Sequence, residues 1–175
     1  IIVGNSVATS IPNTLLVRTK ADVAVVGEGD ETIIDLLMTI DKKKPLKDVR
    51  GICFKMEEKI FSNLYRQPIA DISTLPFIDF SIFDTELYIQ NSKSNIKDTP
   101  LILRDKIRSL PVNTARGCIG GCGFCYHVFK GIPYRQRSAE SIVHEIKSLI
   151  EKYSLNYINF WDELTFFSKR NTLDM

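Results

Sequence analysis

Three of the four cysteines in the chain, Cys118, Cys122 and Cys125, lie within eight consecutive positions. Thiolates this close in sequence can reach one soft metal centre without long-range folding, and they select zinc, Cu(I) or iron–sulfur clusters over hard cations. A structural zinc site normally has four Cys or His ligands, and an electron-transfer cluster normally has four Cys. This loop offers three thiols, so the identity of any fourth ligand decides what kind of site it forms.

Several readings of the cysteines follow from the residues alone. Cys53 or His127 could complete a zinc tetrahedron, which would make the chain a zinc-stabilised binding module without catalysis. A fourth Cys ligand would instead give an electron-transfer iron–sulfur protein. The cysteines could also be ordinary buried thiols. Cys53 itself lies in a segment with the alternation of a strand, so we expect it to pack in the core.

The cysteine loop, residues 116–125, is also rich in glycine. A loop that wraps a metal cluster needs positive φ angles and close backbone approach, and glycine supplies both without steric cost. Its N–H groups can also donate hydrogen bonds to cluster sulfur. The glycines stand at positions 117, 120, 121 and 123.

The composition is that of an ordinary globular chain, with 175 residues of which 44% are hydrophobic and 25% charged. A net charge of +2 with mixed signs gives no basic stripe for nucleic acid. No apolar run is long enough to span a membrane, and no signal peptide is visible. Cysteines used as metal ligands indicate a reducing compartment, so we expect a cytoplasmic protein.

The chain begins at Ile1 without an initiator methionine and stops at Met175 soon after a predicted strand. We therefore expect a fragment truncated at both ends. Strand edges left unpaired favour aggregation, so we expect the isolated fragment to be unstable or prone to aggregation. We also expect it to be inactive.

The pattern of apolar residues predicts alternating strands and helices. In the first part, residues 4–12 are expected to form a loop, and residues 23–26 a buried strand that leads through a glycine turn into a helix. Residues 49–55 and 59–63 are typical of a hairpin. In the second part, a strand at 110–115, a helix capped by Ser138 and a strand at 157–161 predict one βαβ unit. The cysteine loop and the acids Asp162 and Glu163 should then follow the carboxyl ends of parallel strands, where active sites are built.

The order of these features resembles the cobalamin-dependent radical S-adenosylmethionine (SAM) proteins. The cysteine loop resembles the cluster loop of that family. Residues 23–32 are similar to the last strand and turn of its cobalamin-binding domain, residues 71–77 to its linker, and residues 134–146 to the segment that opens its first barrel helix. The resemblance implies an α/β fold: the end of a Rossmann-like cobalamin-binding domain (1–66), a linker (67–107) and the first βα units of a partial TIM-type barrel (108–175).

The resemblance also implies a ligand set. Cys118, Cys122 and Cys125 would hold three irons of a [4Fe-4S] cluster, and the amino and carboxylate groups of SAM would chelate the fourth. Phe124 would neighbour the SAM adenine. The acids after the second barrel strand, matched here by Asp162 and Glu163, would lie near the SAM ammonium group.

The function implied is that of a radical SAM enzyme, which reductively cleaves SAM to a 5′-deoxyadenosyl radical that abstracts hydrogen from a small-molecule substrate. An electron donor such as a flavodoxin or ferredoxin would reduce the cluster. Where cobalamin is also bound, methyl transfer or ring formation would follow. The positions implied for cobalamin are Gly4, Glu28 and Gly29; the Gly-Gly pair of the family appears here as Gly4-Asn5, and its axial-histidine motif would lie upstream of Ile1.

Overall fold

The computed structural model of the chain describes residues 1–93, 105–126 and 131–165. Helices and strands alternate along it, so the prediction of a mixed α/β chain is confirmed. The described residues form two compact units: the first within Ile1–Ile69 and Gly121–Ile132, the second within Ala70–Gly120 and Pro133–Met175. The proposed domain boundaries, at 66/67 and 107/108, stay a prediction. Within the described ranges, no helix has the length and apolar character that crossing a membrane requires.

A four-stranded sheet forms the centre of the first unit, in the order β1-β2-β3-β4. The first two strands are parallel, and the other neighbouring pairs are antiparallel. The predicted hairpin is confirmed, with Phe54 opposite Phe61 in its register. The strands are β1 (Ile2–Val3), β2 (Val23–Val25), β3 (Ile52–Met56) and β4 (Lys59–Ser62), and the helices are α1 (Asn5–Ser10), α2 (Pro12–Arg18) and α3 (Asp30–Asp41).

Alternate residues of this sheet enter two separate cores, because successive side chains of a strand point to opposite faces. Val23 and Val25 pack with Leu36 of α3 on one face. Ala24 and Cys53 pack with Leu16 of α2 on the other. The helices therefore cover both faces of the sheet.

The expectation of a loop at residues 4–12 is wrong, because α1 occupies Asn5–Ser10. Two features hid this helix from sequence reasoning. It is only six residues long, and its first residue has a positive φ of 75°. Its hydroxyl-bearing residues bond back to its own carbonyls, Thr9 to Asn5 at 3.1 Å and Ser10 to Ser6 at 2.9 Å. Such residues commonly form turns, so their pattern favoured a loop.

The second unit is built on a parallel strand pair, β5 (Ser109–Val112) and β8 (Tyr157–Phe160). Helix α5 (Ala139–Tyr153) connects them, and Ser138 caps it by accepting a hydrogen bond from Ser141 N–H at 3.1 Å. The predicted βαβ unit is therefore confirmed. The unit also contains helix α4 (Thr85–Ser92) and the antiparallel pair β6 (Ala115–Arg116) and β7 (Arg135–Gln136).

The core of this unit lies under α4 and α5. Ile89 of α4 packs with Leu110 and Val112 of β5 and with Leu149 of α5. Helix α4 falls within the stretch predicted as a linker, and its residues contribute to this core. The single strand predicted at 110–115 is divided, since β5 ends at Val112 and β6 begins at Ala115.

Candidate metal and cofactor site

The cysteine loop begins at the end of β6, in the second unit. Arg116 of β6 pairs with Arg135 of β7, and the next residue, Gly117, has a φ of 89°. A Cβ atom at Gly117 would lie 3.7 Å from the carbonyl oxygen of Pro133, which is ordinary contact, so space alone does not require glycine. The positive φ does require it, because a side chain is strained in that conformation.

All three thiols of the loop are free, and solvent reaches them. Cys118 is half-buried, whereas Cys122 and Cys125 are exposed. Cys118 belongs to the second unit, and its Sγ accepts a hydrogen bond from Gly120 N–H at 3.3 Å. The other two belong to the first unit, where Cys125 N–H donates to the Cys122 carbonyl at 3.2 Å.

The donor set fits an iron–sulfur cluster. Three thiols within eight residues provide the soft ligands that such clusters take. The bond from Gly120 N–H to Cys118 Sγ is of the kind that tunes cluster sulfur. A Cβ atom at Gly121 or Gly123 would have no neighbour within 4 Å, so the backbone there is open to a bulky group. Across the described parts of the chain, no three His, Cys, Asp or Glu side chains are gathered around one point.

The structure does not offer Cys53 as a fourth ligand. Its side chain is 5% exposed and packs with Ala24 and Leu16 in the core of the first unit. Its thiol lies 3.2 Å from Ser62 Oγ. The prediction that Cys53 packs in the core is confirmed. His127, the other candidate for a fourth ligand, lies outside the described residues.

Two aromatic residues lie in and beside the cysteine loop. Phe124, the residue expected beside the SAM adenine, is 93% exposed. An apolar ring that far from its own core is available to contact a ligand. Tyr126, just past the loop, donates a hydrogen bond from its hydroxyl to Ser10 Oγ at 2.5 Å. Both residues belong to the first unit.

The acids after β8 differ from one another. Asp162 faces the junction between β5 and β6, where its Oδ1 accepts hydrogen bonds from the N–H groups of Thr114 at 2.8 Å and Ala115 at 3.1 Å. Its Oδ2 accepts from the hydroxyls of Thr114 at 2.5 Å and Thr165 at 3.0 Å. Glu163 is exposed. Both acids follow the carboxyl end of a parallel strand, as predicted.

The positions expected for cobalamin lie in the first unit. Gly4 and Gly29 are the residues that precede α1 and α3 as their N-caps. Glu28 Oε2 accepts a hydrogen bond from Ile69 N–H at 3.1 Å. This carboxylate therefore holds the chain segment that follows the hairpin.

The same segment is held by a second set of charges on α3. The guanidinium of Arg66 pairs with Glu31 at 3.2 Å and with Asp35. Glu31 lies in the first turn of α3, where acids are also favoured by the helix dipole. Its partner 35 residues away was not visible in any local pattern.

Sequence reasoning also missed a buried ion pair beside the β5–β6 junction. Arg137 pairs with Glu145 of α5, and Glu145 is 3% exposed. The same guanidinium donates to the Asn113 carbonyl at 2.8 Å and to Ser141 Oγ at 2.9 Å. A signal was present in the sequence, since Glu145 falls on the apolar face of the predicted helix, where an acid needs a partner.

No family model matches the chain. In sequence it is similar to an uncharacterized methyltransferase of Pyrococcus horikoshii, with 24% identity over 155 residues that make up 88% of this chain and 31% of the relative. It is also similar to the anaerobic magnesium-protoporphyrin IX monomethyl ester cyclase of Rubrivivax gelatinosus, with 27% identity over 156 residues, 87% of this chain and 26% of the relative. The chain thus spans less than a third of these curated relatives.

Two solved structures share the fold. One is the cobalamin-dependent SAM radical enzyme OxsB with aqua-cobalamin and SAM bound, at a TM-score of 0.61 and 20% identity, covering 98% of this chain and 22% of that one. The other is the radical SAM methyltransferase TsrM from Kitasatospora setae with tryptophan and a SAM analogue, at a TM-score of 0.62 and 17% identity, covering 97% and 31%. The chain is thus similar in sequence to a part of the magnesium-protoporphyrin IX monomethyl ester cyclase, and it shares its fold with a part of OxsB and a part of TsrM.

Proposed function

We propose that the chain carries the cluster- and SAM-binding segment of a radical SAM enzyme. Cys118, Cys122 and Cys125 are proposed to hold three irons of a [4Fe-4S] cluster, which leaves the fourth iron for SAM. The observation that carries the proposal is the position of three free, accessible thiols on a glycine-rich loop that follows the strand ends β5 and β6. A closed structural zinc site would need a fourth ligand, and Cys53 is committed to the core.

When bound, the cluster supplies the electron for reductive cleavage of SAM to a 5′-deoxyadenosyl radical. The residues of the chain supply binding and placement. The exposed ring of Phe124 is proposed to contact the adenine. Glu163, which is exposed, is proposed to accept a hydrogen bond from the SAM ammonium. The carboxylate of Asp162 accepts four hydrogen bonds from Thr114, Ala115 and Thr165.

The finer assignment of the fold is also part of the proposal. The α/β unit around β1–β4 is proposed to be the end of a Rossmann-like cobalamin-binding domain, and the β5–α5–β8 unit to begin a partial TIM-type barrel. Helices on both faces of the first sheet and the parallel β5–β8 pair support this assignment.

Cobalamin is the second cofactor that we propose, with contacts at Gly4, Glu28 and Gly29. Relatives whose names state a methyltransferase and a cyclase support methyl transfer or ring formation as the reaction. We further propose a small-molecule substrate, an electron donor such as a flavodoxin or ferredoxin that reduces the cluster, and a cytoplasmic location.

The ligand set is tested by anaerobic reconstitution of the chain with iron and sulfide, followed by measurement of bound iron. Cys118→Ser, Cys122→Ser and Cys125→Ser are each expected to lose most of the iron, because an oxygen ligand holds a cluster poorly compared with thiolate. Cys53→Ser is the matched control and is expected to load like the wild type. Iron loading that depends on Cys53, or zinc bound in place of iron, would contradict the proposed function.

A further inference from the structure

The carboxylate of Asp162 is saturated by donors from its own chain. An ionised carboxylate offers about four lone-pair sites on its two oxygens. Four hydrogen bonds of 2.5–3.1 Å reach it from Thr114, Ala115 and Thr165, and Asn113 Nδ2 approaches Oδ1 at 3.4 Å. Little accepting capacity is left for a ligand.

Three of the four hydrogen bonds come from Thr114 and Ala115, which are buried and belong to the chain segment just before the cysteine loop. Thr114 is 0% exposed and Ala115 is also buried. Without the carboxylate, two backbone N–H groups and one hydroxyl would lose their acceptors, and buried donors without acceptors are costly. The carboxylate therefore fixes the backbone at 114–115.

Other contacts define the same junction from both sides. The carbonyl of Thr114 accepts a hydrogen bond from Arg137 N–H at 2.8 Å, so both backbone groups of Thr114 are held. Trp161 N–H donates to the Val112 carbonyl at 3.0 Å, and Asn113 Nδ2 donates to the Trp161 carbonyl. These hydrogen bonds hold the end of β8 against the end of β5. Cys118 lies only three residues after Ala115, so the position of this junction affects the position of Cys118.

We propose that Asp162 is a positioning residue for the cysteine loop: it fixes the strand junction that delivers Cys118 and does not itself contact SAM. This inference rests on the proposed function of the loop as a cluster site. The two neighbouring acids then have different roles: Asp162 fixes the strand junction, and Glu163 binds the SAM ammonium.

The first test needs no metal. In the apo chain, Asp162→Ala is expected to accelerate hydrogen exchange at the amides of Thr114 and Ala115 by about tenfold or more, the change that corresponds to one lost buried hydrogen bond. Glu163→Gln is the matched control and is expected to leave both amides at the wild-type rate. Unchanged exchange in Asp162→Ala would overturn the inference.

The second test uses the chain reconstituted with iron and sulfide. Asp162→Ala is expected to release iron to a chelator about tenfold faster than the wild type, and to change the EPR signal of its reduced cluster. The Asp162→Ala molecules that keep the cluster are expected to bind SAM with wild-type affinity. Glu163→Gln is expected to show the reverse: normal iron release and EPR signal, with weaker SAM binding.

Asp162→Asn keeps the test informative if the alanine variant folds poorly. Its amide oxygen can still accept from Thr114 and Ala115, so iron release is expected between those of the wild type and Asp162→Ala. Weaker SAM binding at an unchanged rate of iron release, in either variant, would make Asp162 a SAM ligand and overturn the inference. A wild-type chain that takes up no iron would instead refute the proposed function, and amide exchange would still decide whether Asp162 fixes the junction.

Discussion

Arg137 makes several side-chain interactions within the second unit. Its guanidinium pairs with Glu145, donates to Ser141 and Asn113, and lies 5.2 Å from the centre of the Phe77 ring. The side chains of the pair are 11% and 4% exposed. A buried pair of this kind contributes little net stability relative to an apolar pair, but removal of one partner leaves an uncompensated charge.

We expect Glu145→Ala to lower the free energy of unfolding by about 3 kcal/mol, because Arg137 would stay buried without its counter-charge. Glu151→Ala on the same helix is the matched control, since Glu151 is exposed, and its effect should be within about 0.5 kcal/mol. Urea unfolding followed by circular dichroism measures both variants. Equal stability of the two variants would contradict a buried charge pair.

At the residue scale, the sequence indicated which residues are candidates for the site but not which residues they bond to. The thiols were recognisable because all three lie on one short loop, and Asp162 and Glu163 because acids that end a parallel strand stand near an active site. The partners of Asp162 at the strand junction, Thr114 and Ala115, are 48 and 47 residues away along the chain. No local pattern contains that information, so the saturation of its carboxylate emerged only from the structure.

At the scale of elements, Arg108 joins three parts of the second unit. It precedes β5, pairs with Glu86 of α4, and donates to the carbonyl of Tyr153 at the end of α5 at 2.9 Å. The hydrogen bonds from Arg108 lower the pKa of Glu86 below its ordinary value of 4.5. The hydrogen bond to Glu86 also raises the pKa of the Arg108 guanidinium above its ordinary value.

This pair predicts a pH dependence with a definite sign. A folded-state pKa below the unfolded one means that ionised Glu86 favours the folded chain above pH 4.5, and that this contribution is lost as the pH falls below 4.5 through the folded-state pKa. The difference in thermal unfolding midpoint between wild type and Glu86→Gln should therefore be largest near neutral pH and shrink in acid.

Calorimetry across the acid range measures this difference in unfolding midpoint. As a control, the Glu86→Gln substitution is also made in a chain that already carries Arg108→Gln. There Glu86→Gln should have no comparable pH-dependent effect, because the hydrogen-bonding partner is gone. A difference between wild type and Glu86→Gln that stays constant from neutral pH down to well below 4.5 would contradict the assigned role of the pair.

Elements with a clear period were predictable, and short or broken ones were not. Helix α5 has an apolar stripe and a capping serine, and the β3–β4 hairpin consists of two short strand-forming segments separated by a turn, so both were correctly predicted. Helix α4 was missed because only Thr85 and Ile89 of its eight residues are buried, which gives little apolar period. The break between β5 and β6 is set by tertiary hydrogen bonds to Asp162, which a local pattern does not reveal.

At the scale of the whole molecule, the chain is similar in sequence to a part of a magnesium-protoporphyrin IX monomethyl ester cyclase and shares its fold with parts of OxsB and TsrM. Its two α/β units are joined by the cysteine loop, with Cys118 in one and Cys122 and Cys125 in the other. The central claim is that these three thiols bind a cluster with one iron open to SAM.

The most direct measurement is the EPR spectrum of the anaerobically reconstituted and reduced chain, recorded before and after SAM is added. We predict a brown protein whose reduced-cluster signal changes when SAM binds, because SAM would coordinate the iron that no cysteine holds. A colourless protein that contains zinc, or a cluster whose signal is indifferent to SAM, would contradict the claim.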